Sequence, residues 1–180
     1  MKLTNSQLLE TKKYTDKEIK NAALIIHPGK KWYNITVEEI FIVFEEWSNF
    51  TQLWTPIYDD FENEFWDSEW YYMAARTDNL EVKKMIAFMS IWHGLSRKTR
   101  GLYELDQDLI RRIDYMRKAI QKKFDNNPDL KKNLIDTGDS EIIEYTYWKD
   151  ILFWIDQETL EWCNVLWKLL MEYRDSSKNG

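Results

Sequence analysis

The chain is poor in the residues that staple or divide small proteins. It holds one cysteine, Cys163, in 180 residues. A lone thiol cannot close an internal disulfide, and this usage fits a reducing compartment, so a cytoplasmic setting is expected. Only two histidines, His27 and His93, accompany it. That supply argues against a zinc-type transition-metal site, and neither a metal nor a cofactor is expected. Five glycines and three prolines form no linker. With no repeat or low-complexity tract either, a chain of this length reads as one domain with a full core. The first twenty residues contain no apolar h-region, so no secretory signal is expected. Without secretion, the sequons at Asn34-Ile35-Thr36 and Asn49-Phe50-Thr51 carry no meaning. The longest apolar run, Met85 to Trp92, is interrupted by Ser90 and is far too short to cross a bilayer.

What the chain has in excess is aromatic side chains and unevenly placed charge. Aromatics make up 16%, with ten Trp and ten Tyr. Such rings either pack a core or form a site that stacks a base or sugar. The net charge is −6, yet residues 97 to 132 contain eleven Lys/Arg against six Asp/Glu. A phosphate or nucleic acid could use that basic excess; a solvated helix face balanced by nearby acids is the alternative.

Helical signals dominate the pass along the chain. Thr15-Asp16-Lys17-Glu18 has capping-box spacing and predicts a first helix to about Leu24. His27-Pro28-Gly29-Lys30 predicts a turn. Ile40 to Phe44 favours a strand by composition, while a capping box at Thr36 to Glu39 favours a helix, and local signals leave both open. Ile57 to Trp66 reads as a short hairpin or irregular loop. A helix is expected from Ser68 with Glu69 in its first turn, and another over Glu81 to Trp92. Leu109, Ile113, Met116, Ile120 and Phe124 form an inward stripe on a helix over Asp108 to Phe124. Pro128 restarts a short helix, Thr137-Gly138-Asp139 turns the chain, and Ile142-Ile143 suggests a brief strand. The last helix is expected from about Thr159 to Arg174, with Leu160, Cys163, Leu166, Trp167, Leu170 and Met171 inward. A frayed tail over 176–180 would follow. The fold class is α+β, mainly helical, with a small β-sheet.

Two blocks stand out chemically. Glu46-Trp47-Ser48-Asn49-Phe50 and Trp66-Asp67-Ser68-Glu69-Trp70-Tyr71-Tyr72-Met73-Ala74-Ala75-Arg76 set one Asn and one Glu in an aromatic frame. Polar groups in such surroundings lose solvation and are seldom kept there without a partner or a task. Three further blocks follow in order. They are Met116-Arg117-Lys118-Ala119-Ile120-Gln121-Lys122-Lys123-Phe124 with Asn127-Pro128 and Leu130, Leu134 to Asp139 with Ile142-Ile143-Glu144, and Asn164 with Leu166, Leu170 to Glu172 and Arg174. Taken together, the five blocks resemble the NADAR (YbiA-like) family over roughly residues 40 to 175. The resemblance implies a single compact YbiA-like domain over 31–175, with residues 1–30 as an N-terminal helical arm outside it. It also implies cleavage of N-glycosidic bonds in riboflavin-pathway intermediates or in ADP-ribosylated nucleobases. Phage-encoded members can serve as counter-defence against ADP-ribosylating toxins.

Breaking an N-glycosidic bond builds oxocarbenium character on the ribose, which a fixed carboxylate stabilises while another group orients water or protonates the leaving base. The resemblance makes Glu69 the first candidate for that carboxylate and Asp150 the second. The helix dipole gives Glu69 a structural alternative. Trp154 would pack on the sugar or base, or in a core. Asn49 and Asn164 would bridge ribose hydroxyls and backbone, although Asn49 could equally brace a turn. Arg174 or Arg97 would clamp phosphate, although Arg174 near a helix C-terminus also suits the dipole. Tyr72 and Arg76 complete the expected ligand-binding set. An ADP-ribose-like or nucleotide ligand is the expected partner, with a nucleic acid carrying a modified base as the larger form.

The chain also departs from the family. Relatives continue the Ser-Glu helix with Gln and then Lys, where this chain has Met73 and Arg76. A lysine can be tuned to act as a nucleophile, whereas arginine stays charged. Lys83 or Lys84 lie two turns onward. Glycines that follow the family's Asp are replaced, with Phe153-Trp154-Ile155-Asp156 and Trp167 in their place, which removes close backbone approach to a ligand. Two functions follow: an N-glycosidase, or a weakened relative that sequesters an ADP-ribose-type nucleotide or blocks a partner protein.

Overall fold

Short strands of Ile, Val and Leu and longer amphipathic helices place the chain in the α+β class, with helix predominating. The computed structural model describes residues 2–13, 15, 17–18, 23–26, 41–43, 56–66, 68–90, 103–145 and 161–178. Contacts group the chain into two units, Met1–Ser48 with Leu130–Gly180, and Asn49–Asp129. No helix among the described residues is long and apolar enough to cross a membrane.

The first unit is built on a parallel sheet. Strand β2 (Ala23–Ile26) lies between β3 (Phe41–Val43) and β6 (Ile142–Tyr145). Ala23 pairs with both Phe41 and Ile142, so the three strands share one register. β-branched and apolar runs suit a parallel strand. The choice left open near residue 41 therefore resolves as strand, because pairing with β2 satisfies its backbone. The Thr15 capping box does form, with Glu18 N donating to Thr15 Oγ1 at 3.3 Å and Thr15 N to Glu18 Oε2 at 2.8 Å. Its helix does not reach Leu24, which is in the middle strand of the sheet. Residues 1–30 are thus not a helical arm throughout.

Helix α1 (Asn5–Leu9) opens with a second capping box, Thr4 and Gln7. Strand β1 (Lys12–Lys13) pairs antiparallel with β7 (Glu161–Trp162). The last helix, α6, spans Val165–Ser177 and packs on α1 and β6. Lys168 Nζ donates to the carbonyls of Gln7 at 2.9 Å and Glu10 at 2.8 Å, closing the C-terminal end of α1. Leu3 N donates to Glu172 Oε2 at 2.7 Å, and Cys163 Sγ to Leu9 O at 3.3 Å. The N-terminal residues are therefore packing elements of this unit.

Helix α6 begins later than the sequence pattern predicts and ends later too. Asn164 is left-handed (φ 53°), a conformation that no helix interior tolerates, so Cys163 stays outside the helix. Val165, Leu166, Trp167, Leu169 and Leu170 are buried, whereas Met171 is only half-buried and Leu160 lies outside the described residues. Residues 176 and 177 are helical rather than frayed, and Lys178 Nζ pairs with Asp139 at 2.8 Å.

Among the described residues, the second unit opens with the hairpin β4 (Ile57–Tyr58) and β5 (Glu64–Phe65). Asp59 holds its loop, accepting from Phe61 N and Asn63 N at 2.9 Å each and from Asn63 Nδ2 at 2.8 Å. Among the described residues three helices follow, α2 (Ser68–Ala75), α3 (Leu80–Ser90) and α4 (Leu109–Asn126), with α3 and α4 both packed on α2. Asn79 Oδ1 accepts from Glu81 N at 3.0 Å at the start of α3, and Asp108 Oδ1 from Arg111 N at 2.9 Å at the start of α4. The predicted stripe of α4 is buried at Ile113, Met116, Ile120 and Phe124, each contributing roughly 1.5–3 kcal/mol. Leu109, in the first turn, is exposed instead. Pro128 opens α5 (Pro128–Asp136), and the turn after it passes through Gly138 (φ 61°).

The basic excess on α4 and α5 is largely met by nearby acceptors. Arg111 pairs with Asp106 at 2.6 Å, Arg117 with Asp114 at 2.7 Å, Lys118 with Asp60 at 3.1 Å and Lys132 with Asp136 at 2.6 Å. The balanced-face reading holds for these cations.

Candidate functional site

Helix α2 carries its polar groups on one side. Glu69 and Tyr72 of the helix and Arg76, in the turn that closes it, recur at i, i+3 and i+7, which aligns them on a single face. All three are buried, at 6%, 3% and 8% exposure. A carboxylate in the first turn gains from the helix N-terminus, which accounts locally for Glu69. It does not account for burying a cation and a phenol on the same stripe.

Arg76 is held firmly. Its Nε donates to Asp106 O at 2.9 Å, its Nη1 lies 3.6 Å from Met73 Sδ, and its guanidinium carbon is 5.2 Å from the Tyr72 ring centroid. Burial lowers its pKa; Tyr72, Glu69 and Asp106 oppose that shift and the positive Arg112 adds to it. Tyr72 accepts a hydrogen bond from Arg112 Nε at 3.1 Å. Burial raises the Tyr72 pKa, Arg76 and Arg112 pull it back, and Glu69 raises it further. Glu69, Tyr72, Arg76 and Arg112 thus form one electrostatic cluster, in which two guanidinium groups flank a phenol beside a carboxylate. Because Arg112 donates to the Tyr72 oxygen, the phenolic proton is directed elsewhere.

Arg112 is hidden in the sequence beside Arg111, with which it reads as part of a charged face. The available signal was its phase. Arg112 precedes Met116 by four residues on the buried side of α4, while Arg111 points to solvent.

The other expected site residues divide into two groups. Asn164 and Arg174 belong to the first unit and are 0% and 3% exposed. Asn164 caps α6 in the left-handed region, its Nδ2 3.4 Å from Ile142 O. Asparagine tolerates that conformation better than other non-glycine residues. Arg174 lies near the far end of α6, about 15 Å along the axis. Its Nη1 donates to Ser140 O at 2.6 Å and Thr137 Oγ1 at 3.1 Å, and its Nε to Asp175 Oδ1 at 2.9 Å. Those bonds tie α6 to the turn that precedes β6. Asn49, Arg97, Asp150 and Trp154 lie outside the described residues. Among the described residues, no group of three or more His, Cys, Asp or Glu is arranged to hold a metal ion.

Comparison with known proteins places the fold. No protein-family model and no curated protein matches the chain. Among solved structures it is similar to the NMR structure of the E. coli protein YbiA, with a TM-score of 0.59 and 21% identity over 88% of this chain and 86% of that one. The chain therefore has a YbiA-like fold.

Proposed function

We propose that this protein cleaves the N-glycosidic bond of a modified nucleoside or nucleotide, with ADP-ribose attached to a nucleobase as the favoured substrate. The observation that carries the reading is Glu69, a carboxylate 6% exposed on the same buried face as Tyr72 and Arg76. The YbiA-like fold and the five family-like sequence blocks support it.

In this mechanism Glu69 stabilises positive charge at the anomeric carbon as the bond to the base lengthens. Water adds to that carbon as the bond to the base breaks, and the proton it gives up is passed through solvent to the departing nucleobase. Arg76 stays charged throughout and serves the phosphate or carboxylate of the ligand rather than acting as a nucleophile. Asn49 would contact the ribose and Arg97 the phosphates. Reversal of nucleic-acid ADP-ribosylation, as counter-defence in a phage setting, is the biological role this chemistry would serve.

A second reading rests on Arg76 itself. A buried arginine, hydrogen-bonded to Asp106 O, stands where members of the family this sequence resembles commonly have a lysine. It favours a protein that binds an ADP-ribose-type nucleotide without turning it over. Incubation with ADP-ribosylated guanosine, ADP-ribosylated DNA and NAD-derived nucleotides, followed by mass spectrometry, separates the two. Release of the base, abolished by Glu69→Gln, is the expected result. Saturable binding with the ligand recovered intact favours sequestration, and neither turnover nor binding refutes both.

A further inference from the structure

Helix α2 has a second face, and it borders a cavity. Tyr71, Ala74 and Ala75 lie on the side opposite Glu69, Tyr72 and Arg76. They line a cleft of about 130 Å³ whose other walls come from the hairpin loop (Asp60, Phe61), α3 (Lys83) and α4 (Tyr115, Lys118). That volume is well short of the roughly 300 Å³ at which drug-sized sites begin. It is close to the ~150 Å³ that accommodates a single benzene ring.

The polar groups of the cleft are unevenly committed. Asp59 is occupied by three N–H donors of its own loop. Asp60 is paired with Lys118 at 3.1 Å, and Tyr115 donates to Asp106 at 3.3 Å. Two groups stand apart. The Tyr71 side chain is 2% exposed, with its ring edge-on to Phe65 at 5.5 Å, and its hydroxyl makes no hydrogen bond among the described residues. Lys83 Nζ lies 5.6 Å from the Phe61 ring centroid and makes no hydrogen bond or ion pair among the described residues. What remains uncommitted is therefore donor capacity, one hydroxyl and one ammonium. The apolar surface around it is the small floor of Ala74 and Ala75 and the ring of Phe61, which is 56% exposed.

We propose that this cleft binds a single aromatic ring carrying a carboxylate, with Tyr71 and Lys83 donating to the carboxylate and Phe61 covering the ring. Burial, Asp60 and Asp59 push the Tyr71 pKa up to about 12, so the phenol remains a donor at neutral pH. Of the two carboxylates that would oppose an anion, Asp60 is offset by Lys118 and Asp59 is held by the three N–H donors of its own loop. The site is independent of the Glu69 chemistry, because the two faces of α2 point apart.

Titration of the full chain with benzoate, benzamide and benzylamine, followed by calorimetry and ligand-observed NMR, tests the assignment. Saturable benzoate binding is expected, with benzamide about tenfold weaker and benzylamine weaker still, since a hydrogen bond to a charged group is worth roughly a factor of ten or more. Tyr71→Phe keeps the ring against Phe65 and should weaken benzoate about tenfold, and Lys83→Met should do the same. Glu69→Gln should leave benzoate binding unchanged, whatever it does to glycosidic cleavage. Absence of saturable benzoate binding, equal affinity for the three probes, or an unaltered affinity in a Tyr71→Phe protein of unchanged Tm overturns the proposal.

Discussion

Arg174→Met distinguishes a guanidinium that holds the fold from one that waits for a phosphate. The side chain is 3% exposed, so its partners lose their hydration with it. The bond to Asp175 contributes little, about 0–1 kcal/mol, because that carboxylate is 52% exposed. Thr137 keeps its own donation to Leu134 O at 2.6 Å and loses only an incoming donor. The main loss is at Ser140 O, which accepts from the charged Nη1 at 2.6 Å, a bond of the class worth roughly 1.5–3 kcal/mol. Methionine replaces the aliphatic stem and removes a buried cation, which offsets part of the cost. The net effect expected is about 2–4 kcal/mol of destabilisation. At about 2–4 °C per kcal/mol for a chain of this size, Tm should fall by roughly 5–15 °C. Thermal and urea unfolding followed by circular dichroism measure it. A double-mutant cycle with Thr137→Val should return a coupling of about 0.5–3 kcal/mol. A Tm within about 2 °C of wild type, together with loss of nucleotide binding, would refute the structural reasoning and restore Arg174 as a phosphate clamp.

Three further outcomes are expected. Asn164→Ala should destabilise by about 1–3 kcal/mol, since it keeps the left-handed strain and removes the bond to Ile142 O, while Asn164→Gly should cost less; urea midpoints compare them. Gly138→Ala meets no atom within 4 Å of its new Cβ, so only the φ of +61° opposes it, and a loss of about 1–2 kcal/mol in the same assay is expected. Glu18 has its pKa lowered from 4.5 to about 2 by the Thr15 backbone N–H, the Thr15 hydroxyl and Lys12. Its contribution is present above pH 4.5 and is lost as pH falls toward 2, so Glu18→Gln should flatten the acid limb of a Tm-versus-pH profile.

The elements are legible in the sequence where the signal is local. The α4 stripe, the Pro128 restart and the hairpin near residue 60 all depend on spacing or turn chemistry within a few residues. Elements are not legible where a distant partner decides. Leu24 follows a genuine capping box, yet it joins β2 because Ile42 and Ile143 pair with it on either side. The apolar pattern of Leu160 and Cys163 continues smoothly into Leu166, but Glu161 and Trp162 pair with β1 as β7 and the left-handed Asn164 holds the start of α6 back to Val165.

The candidate site shows the same division. Glu69 at the head of a helix beside aromatic residues was visible from the chain alone, because residue type, helix phase and the Ser-Glu pattern are all properties of a few consecutive residues. The partners of that helix were not. Arg112 meets Tyr72 across 40 positions and Arg76 reaches Asp106 across 30, distances in sequence that no periodicity encodes. The commitment of Arg174 to the turn at Thr137 and Ser140 is likewise a product of packing. Sequence determined which side chains could do chemistry and which face of α2 they share. Tertiary structure decided which were already taken up by the protein itself, because hydrogen-bond partners are chosen in space, after the helices have met.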